Sequence, residues 1–232
     1  MGIARLGGTS GFIGRVGDDD FGALMQRTLL TEGVDITYLK QDEWHRTSTV
    51  FVDLNDQGER SFTFMVRPSA DLFLETTDLP CWRHGEWLHL CSIALSAEPS
   101  RTSAFTAMTA IRHAGGFVSF DPDLVKIYGK TSICSACVCG RRYNWRMSSS
   151  SRKKMAASSW KNANDRDICA LAKEYEIAML LVTKGAEGVV VCYERQVHHF
   201  AGMSVIVDST GGGRCVRCRV THRSVLYGII YR

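Results

Sequence analysis

The sequence contains no apolar run long enough to span a membrane, and its first eight residues lack the apolar core of a secretory signal peptide. We therefore expect no membrane partner and a cytoplasmic location. Nine cysteines are scattered along the chain, and their odd number fits reduced thiols better than a disulfide framework. With 232 residues, 45% of them hydrophobic, the chain could bury a core as one large α/β domain.

Acidic residues are scarce in two segments. Residues 122–161 carry nine Lys or Arg and one acid, whereas residues 214–232 carry five Arg and no acid. Because the whole chain has a net charge of only +4, the remaining residues carry a net charge of −9. The chain is therefore interpreted as an acidic domain interrupted and followed by two basic segments rich in Ser, Cys and Arg.

The first basic segment suggests two binding functions, and neither is well supported. Cys134, Cys137 and Cys139 have spacings found in zinc sites, but no fourth ligand lies nearby. Tyr143 and Trp145 lie among basic residues, but no nucleic-acid-binding module is recognisable. We expect neither a zinc site nor a nucleic-acid partner.

Outside these segments, strand and helix patterns alternate, which predicts a parallel sheet with crossover helices. Asp18-Asp19-Asp20 is predicted to cap a helix that ends at Gly33, a structural role, and Asp165 or Asp167 to cap another. Residues 1–8 resemble the end of a helix and its glycine turn. The predicted strands are 9–16, 47–53, 61–66, 87–90, 117–120, 178–183, 189–193, 196–200 and 205–208, with further helices at 101–113 and 164–175.

Two of the predicted strand pairs form hairpins. Residues 55–59 connect the first pair, and Glu194-Arg195 connects the second. His198 and His199 in the second hairpin are adjacent, so they point to opposite faces of their strand and cannot easily share a metal. Both histidines are interpreted as structural.

The most informative stretch is Val207-Asp208-Ser209-Thr210-Gly211-Gly212-Gly213-Arg214, an apolar run followed by an acid, two hydroxyls and three glycines. This order is typical of a strand that ends in an anion-binding turn. Glycines allow successive backbone N–H groups to point at one anion, and a helix beginning there adds its positive end. A flexible turn is the alternative interpretation.

The context of this stretch resembles the ribokinase-like (PfkB) carbohydrate kinases, whose signature is Asp-Thr-x-Gly-Ala-Gly-Asp. Four more stretches match that family in the same order. They are Gly14-Arg15-Val16-Gly17-Asp18-Asp19-x-Phe21-Gly22, Gly33-Val34-Asp35, Phe120-Asp121-Pro122 and Thr183-Lys184-Gly185-Ala186-Glu187-Gly188. Within the family the sequence is most similar to bacterial fructokinases, over residues 1 to about 121 and about 164 to 213.

The resemblance implies a three-layer α/β/α sandwich with a small β lid at residues 47–67. It also implies phosphorylation of a sugar by ATP with Mg²⁺ and K⁺, and it favours fructose as that sugar. It implies that the lid covers the sugar, that Arg67 and Asp71 face the sugar hydroxyls, and that two subunits can pair through the lid. Solvated surface charges are the alternative interpretation of Arg67 and Asp71.

The resemblance also implies where the phosphates bind. Thr183, Lys184, Gly185, Ala186, Glu187 and Gly188 match the nucleotide loop. Gly211, Gly212 and Gly213 match the anion hole, and Asp208 and Thr210 match positions that help to hold a monovalent cation.

The catalytic base of the family is the last Asp of the signature, and this sequence has Arg214 there. Arginine has no acceptor for a proton at neutral pH. The amino-terminal sugar motif also has no counterpart, because the chain begins after it. The alternatives to an active fructokinase are therefore a non-catalytic kinase remnant and a kinase for another sugar or a nucleoside.

The resemblance stops near residue 122, resumes near 164 and stops again near 213. Point divergence would scatter such changes. We predict one kinase domain over residues 1–213, in which 122–163 is an aberrant block, followed by an aberrant tail at 214–232. Our hypothesis is that both aberrant segments are translated in a shifted reading frame and that the start is truncated.

Overall fold

A computed structural model of the chain describes residues 1–54, 60–121, 164–174, 177–184 and 187–202. The chain divides into two compact units, and each is described separately below. The described residues of the first are 1–54, 60–81 and 94–107, and those of the second are 82–93, 108–121 and the described segments from 164 onward. No helix in these ranges is long and apolar enough to cross a membrane.

The first unit begins with a strand–helix–strand arrangement. Helix α1 (Gly2–Arg5) precedes strand β1 (Gly11–Gly17), helix α2 (Asp20–Thr31) and strand β2 (Asp35–Asp42). β1 and β2 pair in parallel, as the predicted crossover requires. The apolar residues that join them into a core are Val16, Leu29, Val34 and Leu39. β2 was not among the predicted strands; of its residues only Asp35 was assigned in the sequence, as the end of a family motif.

Asp19 explains the acidic run before α2. Its carboxylate accepts hydrogen bonds from the backbone N–H groups of Gly22, at 2.8 Å, and Thr47, at 2.8 Å. Burial favours the neutral acid, but these two bonds outweigh it and lower the pKa of Asp19. A Cβ on Gly22 would lie 2.1 Å from the carbonyl oxygen of Gly17, so this close approach requires glycine. The structural interpretation of the motif is confirmed.

The predicted first hairpin is present as strands β3 (Val50–Leu54) and β4 (Arg60–Phe64), which pair antiparallel. Its connection, 55–59, lies outside the described residues. β3 begins three residues later than predicted, because Thr47 contacts β1 instead of continuing the strand. Its hydroxyl accepts the N–H of Gly17 at 2.9 Å. We call the β3–β4 pair the lid ribbon.

Arg15 forms a cluster of ion pairs with two carboxylates of this unit. The Arg15 guanidinium lies 2.7 Å from the Asp78 carboxylate and 3.6 Å from that of Asp42. Burial favours the neutral form of Asp78, but the hydrogen bond from Arg15 lowers its pKa below the usual value. Asp78 belongs to the second of two short 3₁₀ helices, Ala70–Phe73 and Thr76–Asp78.

The second unit contains the parallel strands β5 (Trp87–Cys91) and β6 (Phe117–Asp121). Between them lie a 3₁₀ helix, Ser92–Leu95, and helix α3 (Ser100–His113), whose residues are shared between the two units. The Trp87 indole N–H donates to the Ser119 hydroxyl at 2.8 Å. These strands and this helix confirm the predicted alternation.

The rest of the second unit consists of helix α4 (Asp165–Glu174) and strands β7 (Met179–Thr183), β8 (Val189–Tyr193) and β9 (Gln196–Phe200). The three strands form an antiparallel sheet in the order β7-β8-β9. Glu194 and Arg195 have positive φ angles of 49° and 65°, which suit the predicted tight turn. The cap of α4 was predicted wrongly: the Asn164 side chain, not that of Asp165 or Asp167, caps the helix by accepting the backbone N–H of Asp167 at 3.0 Å. The core between α4 and the sheet consists of Ile168, Leu171, Ala172, Ile177, Leu180, Val182, Val190 and Cys192.

Candidate active site

The predicted nucleotide loop joins the end of β7 to the start of β8. Of its six residues, Thr183, Lys184, Glu187 and Gly188 are described, whereas Gly185 and Ala186 are not. The backbone N–H of Lys184 donates to the carbonyl of Gly188 at 2.8 Å, and that of Glu187 donates to the carbonyl of Lys184 at 3.3 Å. These bonds close the loop into a tight turn between two strands.

Gly188 determines the shape of this turn. Its φ of +110° lies in a region that side chains rarely tolerate. A Cβ at this position would also lie 2.0 Å from the carbonyl oxygen of Phe200 and 2.6 Å from the nitrogen of Gly202. Only glycine allows β8 to begin directly against the end of β9.

A cleft of about 340 Å³ opens beside the turn. It combines an ammonium group and a carboxylate with valine, histidine and phenylalanine side chains. Such a mixture offers apolar surface to a ring and charge to a polar group. The residues that line it are Lys184, Glu187, Val189, Val190, His199, Phe200 and Ala201.

His199, which lines the cleft, contacts helix α4 as well as the neighbouring strand. Its imidazole Nε2 lies 3.0 Å from a carboxylate oxygen of Asp165 at the start of α4, and both side chains are exposed. This contact supports the structural role predicted for His199. The sequence did not indicate that His199 borders the nucleotide loop, because its place there depends on how β9 pairs with β8.

The two predicted sugar-binding residues lie together in the first unit, directly after the lid ribbon. The Arg67 guanidinium donates to the Asp71 carboxylate at 3.4 Å and to the Ser69 hydroxyl at 3.2 Å. The Ser69 hydroxyl in turn donates to Asp71 through a short hydrogen bond. Sequence reasoning missed Ser69, although its position two residues before Asp71 is a common arrangement for such a bond.

Arg67 is buried, and Asp71 is partly exposed. Only 10% of the Arg67 side chain is accessible, compared with 36% for Asp71. The guanidinium also lies over the ring of Phe64, 4.7 Å from its centroid, where the electron-rich face attracts the cation. Arg67 is therefore held in place by its neighbours and is not a freely solvated surface charge.

The remaining predicted site residues are Asp208, Thr210, Gly211, Gly212, Gly213 and Arg214. All of them lie outside the described residues. The anion hole, the cation site and the altered base position therefore stay predictions from the sequence.

Comparison with known proteins is consistent with these motifs. Residues 1–215 match the pfkB family of carbohydrate kinases. The chain is 79% identical to a fructokinase of Escherichia coli over 215 residues, which are 92% of this chain and 70% of that protein. It is 48% identical to a fructokinase of Salmonella typhimurium, with the same coverage.

A solved structure supports the same family at the level of the fold. A double mutant of Vibrio cholerae fructokinase, with fructose, ADP and a potassium ion bound, superposes with a TM-score of 0.74. The superposition covers 97% of this chain and 73% of that one, at 34% identity. The chain belongs to the pfkB family of carbohydrate kinases and has its ribokinase-like α/β fold.

Proposed function

We propose that this chain is an ATP-dependent fructokinase, which transfers a phosphoryl group from ATP to fructose and forms fructose 6-phosphate. The observation that carries the proposal is the 79% identity to Escherichia coli fructokinase. The ligand set we propose is ATP, fructose, Mg²⁺ and K⁺. Vibrio cholerae fructokinase, which has a similar fold, was crystallised with fructose, ADP and a potassium ion.

The nucleotide would bind at the turn between β7 and β8. Gly188 lets the end of β9 pack directly against this turn, and the neighbouring cleft has a volume suited to a small molecule. The ammonium group of Lys184, which lines this cleft, would attract phosphate oxygens. Thr183, Gly185, Ala186 and Glu187 complete the proposed loop.

Fructose would bind at Arg67 and Asp71. A carboxylate that is already held by an arginine and a serine has a fixed orientation, and its exposed oxygen can accept a hydrogen bond from a sugar hydroxyl. The partial exposure of Asp71 and the burial of Arg67 support these separate roles. Asp71 would contact the sugar, and Arg67 would position Asp71.

The transferred phosphoryl group would be stabilised by the glycine-rich turn. The backbone N–H groups of Gly211, Gly212 and Gly213 are suited to the charge that develops on its oxygens. Asp208 and Thr210 supply oxygen ligands, which fit the monovalent cation K⁺.

Arg214 determines how active the chain is. Transfer to a hydroxyl requires an acceptor for its proton, and the guanidinium group offers none. This observation favours a second candidate function, a kinase remnant that binds nucleotide but transfers phosphate very slowly. Both candidates share the fold and the nucleotide loop, and they differ in turnover.

The test measures the rate at which the purified chain phosphorylates fructose with ATP. The same rate is measured for the variants Arg214→Asp and Arg214→Ala. A positioned general base contributes roughly 10² to 10⁴ in rate, so we expect Arg214→Asp to raise turnover at least about 100-fold. Arg214→Ala removes the positive charge without supplying an acceptor, and it is therefore the matched control.

Three outcomes are distinguishable. Gain of fructose phosphorylation in Arg214→Asp alone supports the fructokinase with an altered base. Equal gain in both variants would mean that the arginine charge, and not a missing base, limits the reaction. Nucleotide binding without turnover in all three proteins supports the remnant.

We also propose that two chains pair through the lid ribbon and that the protein is cytoplasmic. The ribbon supports the first proposal because it exposes apolar side chains, among them Phe51 at 60% and Val52 at 42%. Within the part of the chain that the structure describes, Cys81, Cys169 and Cys192 form no disulfide, as is usual in a reducing compartment, which supports the second.

A further inference from the structure

Two cysteines meet inside the second unit. Cys169 on α4 and Cys192 on β8 have their sulfur atoms 3.5 Å apart. Cys192 is almost completely buried, with 1% of its surface exposed, whereas Cys169 is partly exposed and lies 3.7 Å from the carbonyl oxygen of Arg195. The contact therefore joins one thiol that a small solute can reach to one that it cannot.

We propose that Cys169 and Cys192 form a site of oxidative modification, at which hydrogen peroxide converts the two thiols to a disulfide. A disulfide requires sulfur atoms about 2.05 Å apart, so the two side chains need to approach by only about 1.5 Å. Side-chain rotation within the existing contact of α4 and β8 supplies movements of this size. The inference does not depend on the proposed kinase activity.

The reaction proceeds in two balanced steps. Cys169 attacks one oxygen of the peroxide, which gives a sulfenic acid on Cys169 and releases one water. The Cys192 thiol then attacks that sulfur, the S–O bond breaks, and a second water leaves with the proton of Cys192. The two thiols lose two electrons in total, and the peroxide gains them.

The accessibility of the two thiols and the pKa of Cys192 indicate which cysteine is oxidised first and which one then forms the disulfide. The thiolate is the reactive form of cysteine. Burial, together with the neighbouring Cys169 thiol, raises the pKa of Cys192 to about 11. Cys192 is therefore protonated at neutral pH and shielded from peroxide. Cys169 is the residue oxidised first, and Cys192 is the resolving residue.

The modification would affect the region of the nucleotide loop. The segment from Cys169 to Cys192 contains the whole of β7 and the loop from Thr183 to Gly188. A disulfide would close this segment into a ring and would fix α4 against the strand that carries two cleft residues, Val189 and Val190. Closing a loop of this length restricts the unfolded chain, so we expect the melting temperature to rise by roughly 5 to 10 °C.

The experiment is peptide mapping of the full chain after treatment with hydrogen peroxide and alkylation of the remaining thiols. Trypsin cleaves after Lys and Arg, so Cys169 lies in peptide 167–173 and Cys192 in peptide 185–195. We expect these two peptides to be joined, with a mass two hydrogens below their sum, and to separate on reduction. The joined species should form faster as the pH rises toward the pKa of Cys192.

Two variants separate this pair from the other cysteines. Cys169→Ser should abolish both the joined peptides and the rise in melting temperature, whereas Cys81→Ser, which changes an exposed cysteine elsewhere, should leave both unchanged. The proposal is overturned if peptide 167–173 carries sulfinic acid while Cys192 remains alkylated. It is also overturned if Cys169 is recovered joined to a different cysteine.

Discussion

At the scale of single residues, Gly188 shows how one backbone position supports the candidate site. Two independent constraints act there, a φ of +110° and a carbonyl oxygen 2.0 Å from the place of a Cβ. The sequence predicted this glycine through its place in a family motif. It could not have predicted the contact with Phe200, because that contact depends on how β9 returns along β8.

We predict that Gly188→Ala destabilises the chain by roughly 2–4 kcal/mol and removes nucleotide binding, because the end of β9 must move away from the turn. The free energy of unfolding is measured by urea titration, and binding is measured with a fluorescent ATP analogue. The matched control is Gly33→Ala: Gly33 also has a positive φ, of +71°, but nothing lies within 4 Å of its Cβ position. It should cost only about 1 kcal/mol and should leave binding intact. Equal losses in the two variants would contradict the role given to the Phe200 contact.

At the scale of elements, the sequence predicted the helices and turns that depend on residues close together in the chain. The acidic cap before α2, the apolar spacing of α3 and the Glu194-Arg195 turn are each determined within a few residues, and the structure contains all three. The start of β3 and the cap of α4 were misplaced, because Thr47 and Asn164 form hydrogen bonds that compete with the local preference. Arg15 and Asp78 are 63 positions apart, and no sequence pattern links them.

The lid ribbon is the element that most needs a partner. A two-stranded ribbon is marginally stable alone, and neighbouring residues of a strand face opposite sides. Val50, Phe51 and Val52 are nevertheless all exposed, at 37%, 60% and 42%. Both faces of the ribbon therefore present apolar surface to solvent.

We predict that the chain is a dimer at micromolar concentration and that Phe51→Lys converts it to a monomer, because a charge would have to be buried in the proposed interface. Sedimentation velocity measures the molecular mass. Trp44→Lys is the matched control, since Trp44 is an aromatic residue with 88% exposure outside the ribbon. A monomer in the unmodified chain, or a monomer in both variants, would count against pairing through the lid.

At the scale of the whole molecule, the sequence predicted the family and the fold because five motifs in one order are hard to obtain by chance. It predicted the candidate site only in part. The contact of His199 with Asp165, for example, arises from tertiary packing. The motif from Asp208 to Arg214 lies outside the described residues, so its assignment depends on the sequence alone.

The reading-frame hypothesis explains why two segments of the chain are basic whereas the rest is acidic. An identity of 79% over 215 residues leaves about 45 differing positions, close to the 42 residues of the block 122–163. Point substitutions distribute charge changes along a chain, whereas a shifted frame replaces every codon within one block. The hypothesis therefore predicts that the differences from the Escherichia coli protein are concentrated in that block.

We predict that resequencing the encoding DNA will reveal an insertion or deletion near codon 122, a compensating one near codon 164 and a third near codon 214. The corrected frame should encode an acidic and apolar segment at 122–163 and an Asp at position 214, and its product should phosphorylate fructose faster than the unmodified chain. The same assay on Arg214→Asp alone separates the effect of the base from that of the 122–163 block. If the DNA encodes this sequence in one uninterrupted frame, the two basic segments are native to the chain, and Arg214 is a native residue of a kinase that lacks its base.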